Sequence, residues 1–185
     1  MLKLFSRKPP PLRSVLFVCT ANVTRSPAAA ALFRAEAAKH GEIWTVASAG
    51  TKAFKGFKPH SAVAFIMDKR GIKINNHRSQ RATKKLLRKY HWILVMEESH
   101  REALIKDNPK LANNIYVFRK FGLESDNQEM NMPDPTGKDN YQDPEGKPDY
   151  CELFAILDVE IPRIFKLLQL KVSDLEWAQQ ADDDE

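Results

Sequence analysis

The sequence predicts one α/β domain, built as a doubly wound, four-stranded parallel sheet with helices on both faces. Short apolar runs typical of buried strands alternate with longer runs of helical periodicity. A length of 185 residues with 43% hydrophobic content fits a single domain with a full core. Strand, helix and strand follow one another closely at the start of the chain. This spacing indicates a βαβ unit and therefore a parallel sheet with right-handed crossovers.

Each predicted element has its own local signal. The strands are expected at residues 15–19, 43–47, 91–96 and 115–118, where apolar residues cluster. Helices are expected at residues 28–40 and 61–69 and in a basic stretch that ends at Arg88. Ser99 and Glu102 have the spacing of a capping box, which predicts a further helix start. A last amphipathic helix is expected from about residue 150 to residue 170.

Charge divides the chain into three expected parts: a basic, proline-containing arm at residues 1–13, the domain at residues 14–170 and an acidic tail at residues 171–185. The net charge of +5 is unevenly spread, because the first fourteen residues carry only basic charges and the chain ends in Asp182–Glu185. Pro9, Pro10 and Pro11 indicate a stiff, extended lead-in.

Composition argues against several functional classes. No basic stripe with interleaved aromatic residues points to nucleic acid, and no apolar run is long enough for a membrane span. The two cysteines, Cys19 and Cys151, lie far apart and no cleavable signal precedes them, so we expect a reduced, cytoplasmic protein. Five histidines without ligand spacing give no reason to expect a metal or another cofactor.

The first strand runs into a loop from Cys19 to Arg25 and then into a helix. Ser26 is a candidate N-cap, and Pro27 suits a first helical position. A loop that ends at a helix N-terminus turns free backbone N–H groups toward a bound anion. The pattern therefore predicts a phosphate-binding loop at the carboxyl edge of the sheet, where such folds bind ligands.

The same loop carries the side chains for covalent phosphoryl transfer. The positive end of the helix and Arg25 favour the thiolate form of Cys19, which can then attack phosphorus. The planar fork of Arg25 can bind two phosphate oxygens, and Ser26 can donate its hydroxyl to the sulfur. A cysteine that ends a buried strand is more often a small core residue. A core role, however, does not explain the arginine.

Asp134 is the candidate acid. It lies between Pro133 and Pro135 in a polar, proline-rich segment at residues 119–148, which is too long for a plain connector. Most Asp-Pro pairs are simple turns. Together with the cysteine loop, this carboxylate becomes a candidate proton donor.

These motifs resemble those of the low-molecular-weight protein tyrosine phosphatases, which carry Cys-x5-Arg-Ser-Pro near the N-terminus and Asp-Pro near the C-terminus. The likeness covers about residues 14–170 and includes Ser48-Ala-Gly-Thr51 and His100 after the third strand. It implies hydrolysis of phosphotyrosine through a phosphocysteine on Cys19, without metal. Arg25 would bind the phosphoryl group and Asp134 would act as general acid and base, held at its angle by Pro135.

The resemblance also implies supporting residues. Loop residues that would surround the phosphate are Thr20, Ala21, Asn22, Val23, Thr24 and Ser26. Asn22, Ser48 and His77 match the polar network that supports this loop in the family. Read alone, Asn22 is a turn former, Ser48 a strand-end hydroxyl and His77 a surface histidine.

The rim of the site departs from the family pattern. Phe54 and Phe57 are candidates for the wall of a deep mouth, or else for loose contacts on a loop. Thr136-Gly137 replaces the aromatic pair that often follows Asp-Pro, and Tyr141 is the candidate to compensate. Thr24 stands where many members carry a second cysteine, so a protective disulfide with Cys19 is not expected. Many members carry Gly in place of Ala21.

Two other functions stay open on the sequence alone. An arsenate reductase of this fold would use the same loop but needs further cysteines to pass on a disulfide, and only Cys151 remains. A catalytically silent phosphotyrosine-binding regulator would need the loop and Arg25 only. The expected partner is a tyrosine-phosphorylated protein, with a bacterial tyrosine kinase as the candidate.

Overall fold

A computed structural model describes residues 9–123, 130–135 and 148–183. Its sheet has four strands in the order β2-β1-β3-β4, and every neighbouring pair is parallel. The strands are β1 (Ser14–Cys19), β2 (Thr45–Gly50), β3 (Trp92–Val95) and β4 (Ile115–Val117). Because β1 lies between β2 and β3, its carboxyl end at Cys19 lies between the carboxyl ends of two neighbouring strands.

The helices cover both faces of this sheet. They are α1 (Arg25–Lys39), α2 (Ser61–Lys69), α3 (Lys84–Leu87), α4 (Glu98–Asp107) and α5 (Pro148–Asp183). Helices α1, α2 and α5 pack with Val15 and Phe17 on one face, and α3 and α4 pack with Leu16 and Val18 on the other. Side chains of a strand alternate between faces, so β1 contributes to both cores. The predicted fold class is confirmed.

No helix in the described ranges is long and apolar enough to cross a bilayer. Helix α5 is long, yet its apolar residues recur at helical spacing and are buried against the sheet, whereas Val159 and Leu170 are exposed. The helix continues through residues 171–183, where the sequence predicts a tail, and Arg13 pairs with Glu176 on it.

Both predicted helix caps are wrong. Thr24 is the N-cap of α1 and Glu97 is the N-cap of α4. The hydroxyls of Ser26 and Ser99 have other partners: Ser26 Oγ lies beside the Cys19 sulfur, and Ser99 donates to the Glu97 carboxylate. Because α1 begins at Arg25 and α4 at Glu98, both serines are already inside the first turn of their helices and cannot be the N-cap.

The observed ends of the strands differ from the predicted ones by one to three residues. The second strand begins at Thr45, because Ile43 is 90% exposed and pairs with no strand. Its other end extends to Gly50, which places Ser48 within the strand beside the phosphate loop. The basic helix that ends near Arg88 is a single turn.

An aromatic cluster joins α1 and α5 to the sheet. Phe33 is fully buried, and its ring lies 5.6 Å from Phe17, 5.4 Å from Trp44 and 5.5 Å from Phe165 between centroids. The tilted and edge-on geometries are the favoured ones for aromatic pairs. These four rings fix α1, and with it the helix N-terminus that follows the phosphate loop.

We predict that Phe33→Ala lowers the free energy of unfolding by about 3–5 kcal/mol, because it leaves a cavity in this cluster. Urea unfolding followed by tryptophan fluorescence measures the change. Phe54→Ala is the matched control, since Phe54 is 77% exposed and its loss is expected to cost less than about 0.5 kcal/mol. Equal losses in the two variants would contradict the packing described here.

A phosphate loop between the first strand and the first helix

The loop from Cys19 to Arg25 joins the end of β1 to the start of α1. Its carbonyl groups accept hydrogen bonds from backbone N–H groups of a neighbouring loop. The Thr51 N–H donates to Cys19 O at 2.8 Å, the Lys52 N–H to Thr20 O at 2.9 Å and the His60 N–H to Val23 O at 2.8 Å. The loop at residues 51–60 is therefore attached to the phosphate loop at both of its ends.

These bonds fix where the N–H groups of the loop point. In a trans peptide the carbonyl of one residue and the N–H of the next point in opposite directions. Since the carbonyls of Cys19, Thr20 and Val23 face outward, the N–H groups that follow them face inward. They belong to Thr20, Ala21 and Thr24. Together with the N-terminus of α1, they form the concave donor arrangement that binds anions.

Asn22 is the turning point of the loop. Its backbone is in the left-handed region, with φ of 59°, where asparagine is better tolerated than most residues. Its side-chain amide donates to Ser26 Oγ and to Ser48 Oγ, both at 2.9 Å, and its Oδ1 accepts the Gln80 N–H at 2.9 Å. His77 Nε2 lies 2.8 Å from the Asn22 carbonyl oxygen. The structure thus brings Asn22, Ser26, Ser48 and His77 together.

Cys19 is 3% exposed, and its sulfur has two polar neighbours. Ser26 Oγ lies 3.0 Å from Sγ, and the Asn22 N–H donates to Sγ at 3.3 Å. Ser26 Oγ also lies 3.2 Å from Ala49 O and accepts a hydrogen bond from Asn22. Its single proton can therefore go to the sulfur when the sulfur is a thiolate.

Arg25 links the loop to two distant segments. Its side chain is 2% exposed, and Nη2 donates to Asp134 Oδ2 at 2.5 Å and to Thr20 Oγ1 at 3.3 Å. Nη1 donates to the Glu97 carboxylate and, at 3.0 Å, to Met132 O. A buried guanidinium requires such compensation. The predicted acid Asp134 is thus in direct contact with the predicted phosphate-binding arginine.

Glu97 and His100, two titratable residues, lie beside the Arg25–Asp134 pair. Burial works to raise the pKa of Glu97, but hydrogen bonding and charge from Arg25 outweigh it, so that this pKa lies below its usual range. His100 is 4% exposed, and its Nε2 lies 2.8 Å from Thr20 Oγ1. Burial lowers the pKa of His100, with the charge of Arg25 in the same direction and that of Glu97 opposed. At neutral pH this imidazole is uncharged.

The remaining predicted residues are placed as follows. Thr24 and Pro135 are buried, while Ala21 and Val23 are at the open side of the loop. Phe54 and Phe57 lie on the attached loop at residues 51–60, but their side chains are 77% and 59% exposed. The structure does not pack these two rings against the loop. Tyr141, with Thr136 and Gly137, lies outside the described residues.

Three contributors were missed from the sequence: Glu97, Gly50 and Gln80. Glu97 had a usable signal, because it follows β3, and in a parallel sheet the end of β3 lies beside the end of β1. Gly50 ends β2 on the other side of β1. A Cβ there would lie 2.4 Å from Thr20 O, so only glycine lets the two chains approach. Nothing in the sequence around Gln80 indicates that its backbone N–H would bind the Asn22 side chain.

The parts of the chain that the structure describes contain no group of three His, Cys, Asp or Glu side chains able to hold a metal ion. In direct contact with the loop, positive charge comes from Arg25, and partial positive charge from backbone N–H groups.

A four-stranded parallel α/β fold and a loop from Cys19 to Arg25 define the class: a protein with a cysteine-containing phosphate loop after its first strand. The model of the low molecular weight phosphotyrosine protein phosphatase family matches residues 14–174. The chain belongs to this family, as its motifs predicted.

Relatives support this assignment. The low molecular weight protein-tyrosine-phosphatase Wzb of Salmonella typhi is 32% identical over 124 residues, which are 67% of this chain and 77% of that protein. The solved low molecular weight protein tyrosine phosphatase of T. tengcongensis is 29% identical, with a TM-score of 0.65, over 85% of this chain and 98% of its own. The YwlE arginine phosphatase of Geobacillus stearothermophilus shares the fold, with a TM-score of 0.72 at 24% identity over 88% and 96% of the two chains.

We predict that Gly50→Ala disrupts the phosphate loop. The added Cβ would lie 2.4 Å from Thr20 O and 2.9 Å from the Asn22 nitrogen, both backbone atoms, so the loop must move. A displacement of about 1 Å is expected to lower kcat/KM for an aryl phosphate by about a hundredfold. Gly41→Ala is the control: its φ of 68° strains an alanine too, but a Cβ there meets nothing within 4 Å and Gly41 follows the far end of α1, so the phosphate loop is expected to stay in place. Unchanged inhibition by phosphate in Gly50→Ala would contradict this account.

We predict that stability falls as pH is lowered below about 6.5, the ordinary pKa of histidine. The pKa of His100 is lower in the folded state, so below 6.5 the unfolded chain binds more protons and is favoured. The contribution of His100 is complete above 6.5 and is lost as pH falls through its lowered pKa.

Urea unfolding at several pH values tests this. His100→Asn is expected to show a shallower fall, by up to about 1.4 kcal/mol per pH unit, since one titrating group is removed. His77 and His91 also have pKa values lowered by burial, so part of the slope stays. Identical slopes in the two proteins would show that His100 does not titrate as described.

Proposed function

We propose that this protein hydrolyses phosphotyrosine in proteins through a phosphocysteine intermediate. The observation that carries the proposal is the junction at Arg25: the loop that contains Cys19 and the segment that contains Asp134 meet at one guanidinium, with an Arg25–Asp134 distance of 2.5 Å. A nucleophile, a phosphate-binding cation and a proton donor are the three groups that this reaction needs.

The first step forms a bond between Cys19 Sγ and phosphorus and breaks the bond between phosphorus and the tyrosyl oxygen. The inward N–H groups and Arg25 bind the phosphoryl oxygens and stabilise the charge that spreads over them. Asp134 gives its proton to the departing tyrosyl oxygen, so that tyrosine leaves as a neutral phenol.

The second step returns the enzyme to its starting state. Asp134, now a carboxylate, takes a proton from water as the water oxygen attacks phosphorus. The bond between phosphorus and sulfur breaks, and the thiolate of Cys19 leaves. The hydroxyl of Ser26, 3.0 Å from Sγ, donates to this thiolate and eases its departure.

The contact between Arg25 and Asp134 must change during this cycle. A phosphoryl group bound in the loop competes with Asp134 for Arg25 Nη2, whereas Nη1 stays tied to Glu97 and Met132 O. We infer that substrate binding releases Asp134 from Arg25 and thereby makes it available to the leaving oxygen. Glu97 then keeps the guanidinium in place.

The alternatives differ in their cysteine chemistry and in turnover. Arsenate reduction would require Cys151 to reach Cys19, but Cys151 is exposed on α5 and lines a cavity with Phe65 and Phe154. A silent binding regulator would not need Asp134 at Arg25. The proposed partner is a tyrosine-phosphorylated protein, with a bacterial tyrosine kinase as the first candidate. A reduced Cys19 fits a cytoplasmic protein.

The test is steady-state hydrolysis of an aryl phosphate and of a phosphotyrosyl peptide in EDTA. We expect turnover by the wild type, none by Cys19→Ser, and a loss of about 10²–10⁴-fold in kcat for Asp134→Asn, the range of general acid–base catalysis. Trapping of a phosphorylated enzyme, detected by mass spectrometry, is expected to depend on Cys19.

Two outcomes would contradict the proposal. A reduced wild type that binds but does not hydrolyse either substrate would favour the regulator. Hydrolysis of phosphoarginine peptides with phosphotyrosyl peptides left intact would keep the cysteine chemistry but change the substrate. Full activity in Cys151→Ser with arsenate left unreduced would separate the phosphatase from an arsenate reductase.

A further inference from the structure

Exposed cations surround one side of the phosphate loop. Asp68 is the only acidic residue between Ile43 and Met96, whereas basic residues are frequent in that range. The five on the two loops beside the phosphate loop are exposed; we call this set the basic rim: Lys52, Lys55, Lys58, Arg78 and Arg81. Within the described residues no carboxylate lies within ion-pair distance of any of them.

Backbone hydrogen bonds fix the basic rim next to the site. Lys52 belongs to the loop at residues 51–60, which bonds to Thr20 O at one end and to Val23 O at the other. The charge of Lys52 also contributes to the lowered pKa of His100, which contacts Thr20. Lys55 and Lys58 lie on the same attached loop.

The second loop of the basic rim is bonded to the first. Ser79 connects them through its backbone, with Gly56 N–H donating to Ser79 O at 2.9 Å and Ser79 N–H donating to Phe57 O at 2.8 Å. Ser79 lies between Arg78 and Arg81 along the chain, and Arg81 pairs with Gly50 in an isolated bridge. All five cations are thus on backbone held at the phosphate loop.

We propose that the basic rim binds acidic side chains next to the phosphotyrosine, so that the preferred substrates are phosphotyrosyl segments rich in aspartate and glutamate. This inference rests on the proposed function. A peptide whose phosphoryl group enters the loop lies next to the two loops that carry these cations, and unpaired charges of one sign steer a ligand of opposite sign. Exposed Phe54 and Phe57, interspersed with the lysines, add apolar contact area.

The chain offers a matched control for charge. Lys85, Arg88 and Lys89 are also exposed, but they line a cavity with Pro9–Pro11, the segment that leads into β1. They therefore lie toward the amino ends of the strands, opposite the phosphate loop. Removing these three cations changes the net charge as much as removing three from the basic rim.

The experiment compares kcat/KM for two phosphotyrosyl peptides, one flanked by aspartates and one by alanines. For the wild type we expect about a tenfold preference for the acidic peptide at low salt, from several exposed ion pairs, and little preference at high salt. K52A/K55A/K58A and R78A/R81A are expected to lose most of it, while K85A/R88A/K89A keeps it. The ratio within each variant cancels any general change in activity.

Charge reversal gives a second readout. K52E/K55E/K58E, which leaves two cations and three carboxylates in the basic rim, is expected to prefer a peptide flanked by lysines, which no general loss of activity can imitate. A wild type that hydrolyses both peptides equally at low salt would overturn the inference and leave the proposed function intact. Failure to hydrolyse either peptide would instead mean that the proposed function is wrong. Salt-sensitive binding to phosphatidylserine vesicles through the basic rim, without a peptide preference, would assign these cations to a membrane surface and also overturn the inference.

Discussion

The phosphate loop depends on the left-handed turn at Asn22. A non-glycine residue in this conformation carries a cost of about 1–3 kcal/mol, which surrounding contacts must offset. The offset here is a set of hydrogen bonds to Ser26, Ser48, Gln80 and His77, which belong to different parts of the chain. The turn is therefore formed only in the folded domain. Once formed, it leaves the N–H groups of Thr20 and Ala21 facing the inside of the loop, because the carbonyls of Cys19 and Thr20 are bonded outward.

Charge balance at Arg25 is the second constraint. Two carboxylates, from Glu97 and Asp134, contact a guanidinium that is almost fully buried. Glu97 is adjacent in space through β3, whereas Asp134 comes from a separate, proline-flanked segment. In the proposed cycle Glu97 stays on Nη1 while Asp134 leaves Nη2 to the phosphoryl group. The buried guanidinium then keeps an anionic partner throughout.

The sequence predicts best what depends on neighbouring residues. The apolar runs give all four strands, and the spacing of strand, helix and strand gives the parallel sheet. The predicted N-caps at Ser26 and Ser99 are wrong because both helices begin one residue before these serines, at Arg25 and Glu98. Glu97 and Gly50 were missed because their roles come from strands paired with β1, not from their own motif. Cys19, Arg25 and Asp134 could be proposed together because their motifs pointed to one reaction, and the structure places Asp134 in contact with Arg25.

Catalysis and recognition are separable in this architecture. The loop at residues 51–60 is attached to the phosphate loop by backbone atoms of Thr51, Lys52 and His60, so its side chains are free to differ while the attachment stays. The side chains of Arg78 and Arg81 are likewise free to differ, because the backbone of Ser79 forms the hydrogen bonds that join their loop to residues 56 and 57. One fold can serve different functions, which reside in the side chains placed on it. In the proposed reaction the cysteine loop binds the phosphoryl group alone, so selection among phosphorylated segments would come from exposed side chains around it, and the basic rim supplies five cations there.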